Sequence, residues 1–269
     1  MSTRANARRA ASAASDSKLL TVLARMGYAA SGLVHLLLGY LAIRVAFNKQ
    51  GETDQSGALA EIAKLSGGTI VLWVVVVGLF ALGLWLLVQA ALGVGSASDK
   101  RWVRSLVAVG KAAAYIALGV TALSFAQGGS SSSSDSTQQA SATILSLPGG
   151  PVLLSAVGVI AAGIGGYFIF KGVTRKFEED ITVPSGATGR TVCILGVVGY
   201  VAKGIAVVVV GILVIVAAFT VDPSSSTGFD GALKSLAELP FGVVILIAVG
   251  LGLIAYGIYT FVRARYARL

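Results

Sequence analysis

Residues 70–88 read IVLWVVVVGLFALGLWLLV, and the only polar side-chain atoms in this stretch are the indole nitrogens of Trp73 and Trp85. A helix needs about 20 apolar residues to cross the hydrocarbon layer of a membrane, since each residue advances it by about 1.5 Å. Strands of membrane barrels have about 10 residues of alternating polarity. The stretch is too long and too uniformly apolar for such a strand, so it predicts a transmembrane helix.

Five further stretches have the same character. Many of their residues are Val, Ile, Thr and Gly, which are poor helix formers in water. In lipid, however, every backbone donor and acceptor must be satisfied within the segment, which favours the helix. Six transmembrane helices are therefore predicted at approximately 20–47, 69–94, 102–126, 151–173, 192–221 and 241–262.

The composition excludes an ordinary soluble protein. Hydrophobic residues make up 55% of the 269 residues and charged residues 12%, and the mean hydropathy is +0.84. Soluble domains have roughly 25% charged residues. The net charge of +9 would indicate nucleic-acid binding in a soluble protein. Here the basic residues form short clusters between apolar stretches, so no nucleic-acid partner is predicted.

The basic residues lie mainly on one side of the predicted helices. Cytoplasmic loops carry an excess of Lys and Arg, so both termini are predicted to be cytoplasmic. The opposite side holds Arg44, Lys49, Lys64 and Lys234. The cytoplasmic set contains 17 of the 21 basic residues: Arg4, Arg8, Arg9, Lys18, Arg25, Lys100, Arg101, Arg104, Lys111, Lys171, Arg175, Lys176, Arg190, Lys203, Arg263, Arg265 and Arg268.

The six helices form three tandem pairs. The loop within each pair ends in a related motif, LSGG at 65–68, LPGG at 147–150 and LPFG at 239–242. Two helices per unit give every copy the same orientation, so the copies are parallel repeats about an axis along the membrane normal. An all-α integral membrane fold with pseudo-threefold arrangement is predicted. Its segments are a disordered basic tail over 1–17 and repeats over 18–95, 100–176 and 190–265.

Small residues recur at two positions, seven residues apart, in the first helix of every repeat. Seven residues are about two turns, so both positions lie on one helix face. Small residues let a neighbouring membrane helix approach closely, so helix packing is their predicted role. They are Gly32 and Gly39, Ala112 and Gly119, and Gly204 and Gly211.

The second helices align as well. The matching positions hold Gly83, Gly165 and Gly257, followed by Gln89, Lys171 and Arg263. Before these helices, residues 57–65 and 231–239 have apolar residues at helical spacing and predict short amphipathic helices at the outer surface. The middle repeat instead has the serine run 130–134, which predicts a flexible loop.

These features resemble a bacterial family known as domain of unknown function 1206 (DUF1206). The resemblance rests on the motif ARMGYAASG at 24–32 with His35 and Gly39, on GAL at 57–59, and on Leu72-Trp73 through Trp85. It covers nearly the whole chain beyond the tail and implies tandem two-helix units in a bacterial plasma membrane. It implies no activity, ligand or catalytic residue. The middle repeat departs most, because it has no equivalent of the motif at 57–59.

His35 is the only histidine of the chain, and it shares a helix face with Ser31 and Tyr28. A titratable side chain deep in a membrane is a candidate for function, here as a proton relay or a gate. The alternative is a hydrogen bond to a neighbouring helix. The equivalent positions in the other repeats hold Tyr115 and Val207, so a ring of three would be only partly polar.

Lys111 and Lys203 occupy equivalent positions, where the first repeat has Ser31. One interpretation is an inward-facing basic cluster that attracts an anion or an anionic lipid. The favoured alternative is snorkelling to the lipid head groups. About 15 apolar residues follow Lys111 and about 18 follow Lys203, or ~23 to 27 Å of helix, so both lysines are near the interface.

The chain has no Walker loop and no HExxH motif, and residues 163–166 (GIGG) lie inside a transmembrane stretch. The acids at 178–180 predict a solvated loop. No enzyme, metal site or cofactor is therefore predicted, and the expected partners are the lipid bilayer, other membrane proteins or a second copy.

Two functions remain open. The favoured one is a non-catalytic accessory, scaffold or partner-binding module, because polar side chains are few and small-residue faces are abundant. The other is a small channel or transporter with a pathway along the repeat axis. That pathway would be lined by Ser31, His35, Tyr115, Lys111 and Lys203.

Overall fold

The computed structural model describes residues 18–47, 53–92 and 101–267, and the tail predicted over 1–17 lies outside these ranges. The described residues contain nine α-helices, with short 3-10 turns at Lys176–Asp180 and Pro223–Ser225. In chain order the helices are α1 (Lys18–Ala46), α2 (Gln55–Lys64), α3 (Gly68–Leu92), α4 (Arg101–Ala126), α5 (Ser133–Leu145), α6 (Gly150–Val173), α7 (Gly186–Thr220), α8 (Gly228–Ala237) and α9 (Gly242–Tyr266).

Six of these helices, α1, α3, α4, α6, α7 and α9, are long and apolar enough to cross a membrane. This confirms the predicted all-α transmembrane fold. The largest difference in bounds is at α7, which begins at Gly186 rather than at residue 192. Hydropathy marks where a chain leaves the lipid, whereas backbone hydrogen bonds continue the helix into the polar region.

The six transmembrane helices pack in the order α4, α3, α1, α9, α7, α6. Each repeat contributes two of them: α1 and α3, α4 and α6, α7 and α9. At each of three seams, the second helix of one repeat packs on the first helix of another: α3 on α4, α6 on α7, and α9 on α1. The three equivalent seams produce the pseudo-threefold arrangement.

Glycine backbones meet at the α6–α7 seam. A Cβ atom added at Gly165 would lie 2.7 Å from the carbonyl oxygen of Gly204, and the reverse distance is also 2.7 Å. Two turns away, Gly158 and Gly211 face each other at 2.8 and 2.7 Å by the same measure. Any larger residue at these four positions would overlap a neighbouring backbone.

The other two seams repeat this geometry. At the α9–α1 seam, added Cβ atoms at Gly257 and Gly250 would lie 2.8 Å and 2.9 Å from the carbonyl oxygens of Gly32 and Gly39. The α3–α4 seam replaces glycine in part, with the fully buried Ala112 near Gly83. In this seam Gly119 lies against the ring of Phe80. All six small residues singled out in the sequence lie in seams.

The two ends of the bundle differ. We call the end where α1 begins and α9 ends the terminal end, and the end that carries α2, α5 and α8 the cap end. The short helices α2 and α8 insert Leu59 and Leu233 fully into the apolar core, as predicted for amphipathic helices. The middle repeat also has a short helix, α5, so the prediction of a loop over 130–134 was wrong for its last two residues. The Ser132 side chain caps α5 by accepting a hydrogen bond from the Asp135 amide, and this is a common role of serine at helix starts.

Buried and partly buried polar contacts join the three short helices at the cap end. Asp230 accepts hydrogen bonds at 2.7 Å from both the backbone amide and the hydroxyl of Thr53, which links repeats 1 and 3. Ser56 and Ser133 link repeats 1 and 2 through their hydroxyls at 2.6 Å. The hydroxyl of Ser134 donates to a carbonyl of repeat 3 at 3.0 Å. The cap end is therefore closed by a ring of contacts among all three repeats.

The seam geometry predicts opposite effects for two neighbouring glycines of α6. A Cβ atom at Gly165 would contact the backbone of α7, whereas one at Gly166 would meet nothing within 4 Å. Replacing glycine by alanine favours the helix equally at both positions. The difference in stability between the two variants therefore reports packing alone. We expect Gly165→Ala to destabilise the bundle by about 1–3 kcal/mol and Gly166→Ala to leave its stability unchanged or slightly raised. Thermal unfolding in detergent measures both, and equal melting temperatures would contradict the assigned seam.

Candidate functional site

The middle repeat is open along its length. The α4 helix packs on α3 and α6 packs on α7, but no extended contact joins α4 to α6 among the described residues. The equivalent helices of the other repeats, α1 with α3 and α7 with α9, do pack together. We call the space between α4 and α6, which is backed by α1, α7 and α9, the cleft.

The two helices of the first repeat approach each other closely at glycine residues, and so do the two helices of the third repeat. A Cβ atom at Gly78 would lie 3.1 Å from the carbonyl oxygen of Met26, and Gly27 faces Gly78 across the same contact. In the third repeat, Gly199 lies against the backbone of Tyr256, and Gly252 lies against Ala202. Two glycines thus bring the two helices of each of these repeats together.

The middle repeat has larger residues at both of these positions. By the repeat alignment, Val107 replaces the first glycine and Ile160 the second. Their side chains are 50% and 63% exposed, so neither is packed against the opposite helix. β-Branched side chains at both positions keep the helix backbones apart, which is a physical reason for the cleft.

Lys203, on α7, meets side chains from three other helices at the back of the cleft. Its ammonium lies 4.4 Å from the ring centroid of Tyr256 and 5.3 Å from that of Phe168. The hydroxyl of Tyr115, on α4, is close enough to interact electrostatically with the Lys203 ammonium. Lys203 therefore lies over aromatic rings inside the bundle, where cation–π contacts stabilise its charge.

His35 lies beside this group. Its Nδ1 atom is 2.7 Å from the carbonyl oxygen of Ser31, one turn earlier in the same helix. Its ring lies 4.7 Å from the ring of Tyr256, centroid to centroid. The hydrogen bond thus stays within α1, and Tyr256 bridges His35 to Lys203.

The remaining candidates occupy different positions. Lys111 is exposed and shares a face of α4 with Tyr115, which follows it by four residues. Ser31 is buried and offers His35 its backbone carbonyl. The structure thus brings His35, Tyr115 and Lys203 together and leaves Lys111 more open to the surroundings. Across the described residues, no group of three or more His, Cys, Asp or Glu side chains is placed to hold a metal ion.

A second polar group lies at the terminal end. The carboxylate of Asp180 pairs with the Lys171 ammonium at 2.6 Å and with the Arg263 guanidinium at 3.4 Å. The guanidinium also stacks 4.6 Å from the ring of Tyr28. It reaches the hydroxyl of Tyr200 at 3.5 Å. One carboxylate thus joins basic residues from repeats 2 and 3.

The segment that carries Asp180 crosses the terminal end. Phe177 and Ile181 on this segment are fully buried. The Phe177 ring stacks on Tyr200 at 5.5 Å and meets the edge of Tyr259 at 5.3 Å. The amide of the following residue, Thr182, donates to a carbonyl at the end of α9. This part of the terminal end is therefore covered by protein.

The sequence interpretation missed this group, because it placed Asp180 in a solvated loop. One signal could have found it. Lys171 and Arg263 occupy the same position in successive repeats, and residues related by a threefold axis approach each other when they point inward. Two such cations need a counter-charge, and Asp180 lies in the loop that follows Lys171.

The charges around Asp180 outweigh its burial. Burial alone would raise the pKa of this carboxyl, but Arg263 and then Lys171 favour the ionised form, and its pKa lies below the ordinary value of 3.8. A lowered carboxyl pKa adds stability above the unfolded-state pKa and loses it as the pH falls through the folded value. The ion pairs are therefore intact at neutral pH.

Comparison with known proteins agrees with the repeat geometry. The family described as Domain of Unknown Function (DUF1206) matches three segments of the chain, residues 26–93, 106–175 and 198–267. The chain belongs to this family. Each DUF1206 segment covers one pair of transmembrane helices.

A curated relative has the same extent. The chain is 33% identical over 253 residues to the "Uncharacterized protein YxxB" of Bacillus subtilis (strain 168), an alignment that covers 91% of the chain and 90% of the relative. No solved structure matches the chain. Neither the DUF1206 description nor the relative's name specifies an activity.

Removing the Asp180 charge tests the terminal-end group. Asp180→Asn leaves Lys171 and Arg263 without their carboxylate, so we expect a loss of about 1.5–3 kcal/mol at neutral pH. The loss should shrink as the pH falls below 3.8, where the wild-type carboxyl also becomes protonated. Thermal unfolding from pH 7 to pH 3 measures this, with the exposed Glu179→Gln as the control. A pH-independent loss would contradict the ionic account.

Proposed function

We propose that the protein is a non-catalytic membrane module that binds a membrane-embedded partner in the cleft. The observation that carries the proposal is the separation of α4 from α6, when the equivalent helices of the other repeats pack together. In a bilayer such an opening faces lipid and neighbouring membrane proteins. A partner can enter it sideways, without leaving the membrane.

Both ends of the bundle support binding rather than conduction. At the cap end, the buried Leu59 and Leu233 of the short helices close the core. At the terminal end, Phe177 and Ile181 are buried against α7 and α9. A pathway along the repeat axis would need both of these coverings to move, whereas lateral binding needs neither to move.

A small channel or transporter is the second candidate. The observation that favours it is the meeting of His35, Tyr115 and Lys203 around Tyr256, inside the bundle. Polar and titratable groups at such depth mark ion and proton pathways in other membrane proteins. A channel or transporter would use His35, Tyr115 and Lys203, but it requires an ion or solute to pass through both ends of the bundle.

A flux assay separates the two functions. The full-length protein is reconstituted in liposomes, and proton, potassium and chloride movement is followed with fluorescent indicators. We expect the fluxes to equal those of protein-free liposomes, because the cap end and part of the terminal end are covered. A flux that requires the protein and is lost in His35→Ala would overturn the binding function and support a transporter. The Ser155→Ala variant, altered elsewhere on α6, is the control for the substitution.

We also propose a bacterial plasma-membrane location with both termini in the cytoplasm. The proposal is supported by the order of apolar stretches and loops in the sequence, which assigns 17 of the 21 basic residues to the side of both termini. A C-terminal fluorescent-protein fusion should therefore be bright and a C-terminal alkaline-phosphatase fusion inactive. An active phosphatase fusion would reverse the assigned orientation.

A further inference from the structure

Basic residues are in excess around the cleft and the terminal end. Lys171, Lys203 and Arg263 are all close enough to Lys111 to interact with it electrostatically. The carboxylate of Asp180 also does so. Asp180 is already paired with Lys171 and Arg263. Among the described residues, no carboxylate lies within 4 Å of the ammonium of Lys111 or Lys203. These two lysines therefore offer positive charge to an anionic ligand.

The depth of both lysines suits a lipid head group. Lys111 precedes the cap-end terminus of α4 by ~23 Å, and Lys203 precedes that of α7 by ~26 Å, at roughly 1.5 Å per residue. The hydrocarbon layer is about 30 Å thick. Both lysines thus lie a few ångströms inside the terminal-end boundary of that layer. A phosphate at this boundary is within reach of their side chains.

An apolar wall extends from the lysines toward the middle of the membrane. On α6, Phe168 and Lys171 point into the bundle. The same face continues through Ile164 and Val157, at helical spacing. These two residues are 47% and 44% exposed. An exposed apolar face below a pair of basic residues matches an acyl chain below an anionic head group.

We infer that the cleft binds an anionic phospholipid from the leaflet at the terminal end. Its phosphate contacts Lys111 and Lys203, and its acyl chains lie along the Val157–Ile164 face of α6. This inference rests on the proposed function and names the partner. It also assigns the two lysines, at equivalent positions of repeats 2 and 3, to one ligand.

Native mass spectrometry of the detergent-solubilised full chain tests the lipid and its position. The protein is titrated with phosphatidylglycerol and with phosphatidylcholine of the same acyl chains. We expect phosphatidylglycerol to bind about tenfold more tightly or better, since each lysine near a head group favours an anionic lipid. Lys111→Gln with Lys203→Gln should remove this preference. The matched control is Lys176→Gln with Arg190→Gln, which removes the same charge from exposed positions at the same end.

A second pair of variants tests the wall without altering any charge. Ile164→Trp fills the cleft and should weaken phosphatidylglycerol binding. Val159→Trp is the control, since this residue is 61% exposed on another face of α6. Both positions are exposed, so neither variant should prevent folding.

Three results would contradict the inference that an anionic phospholipid binds in the cleft. One is equal binding of the two lipids, and another is equal loss in the control variants. The third is full competition by glycerol phosphate, which would indicate a soluble anion as the ligand. A co-purifying protein or a second copy that persists when lipid is removed would indicate a different occupant of the cleft. A different membrane lipid, a protein partner or a second copy in the cleft leaves the proposed function standing if liposome flux is absent. A soluble anion as the ligand, or flux through the protein, would overturn that function itself.

Discussion

Close contact between glycine backbones at the seams determines how the six transmembrane helices assemble. Membrane helices gain little from the hydrophobic effect when they associate in lipid, so packing at short distance must hold them together. Gly165 with Gly204 and Gly257 with Gly32 supply that contact at two seams. The seams also fix the rotation of each helix, and thereby decide which side chains face inward. Lys203 lies over the Tyr256 ring for this reason.

The same constraint explains how the middle repeat differs from its neighbours. Its helices keep the seam residues that join them to repeats 1 and 3, so the bundle stays assembled. They lack the small residues that would join them to each other, since Val107 and Ile160 stand in place of glycine. Repeat 2 is therefore held in place by its contacts with repeats 1 and 3, while its own two helices do not pack on each other. The opening adjoins the exposed Lys111 and the partly buried Lys203, which occupy equivalent positions. The missing contact within one repeat thereby creates a surface where a ligand can bind.

Much of this architecture could be predicted from the sequence, because it depends on local properties. Apolar length identified the six membrane helices, and recurring small residues such as Gly204 and Gly211 predicted tight packing. The cleft depends on the comparison of Val107 with two glycines in other repeats, a signal present in the sequence but not used. The pairing of Asp180 with Arg263 joins residues 83 positions apart and follows from a loop path that hydropathy does not specify. The environment of Lys203 depends on helix rotation, which only the assembled seams determine.

The distance between α4 and α6 in a bilayer shows whether the middle repeat is open. Spin labels at Val120 and Val159 report it, and Ile212 with Leu251 is the equivalent pair in repeat 3; all four residues are exposed. With Cys193 replaced by serine and the protein in nanodiscs, double electron–electron resonance should give a longer distance for the first pair than for the second. Val107→Gly with Ile160→Gly should shorten the first distance. Equal distances for the two pairs in the otherwise unaltered protein would show that the middle repeat is closed and contradict the account.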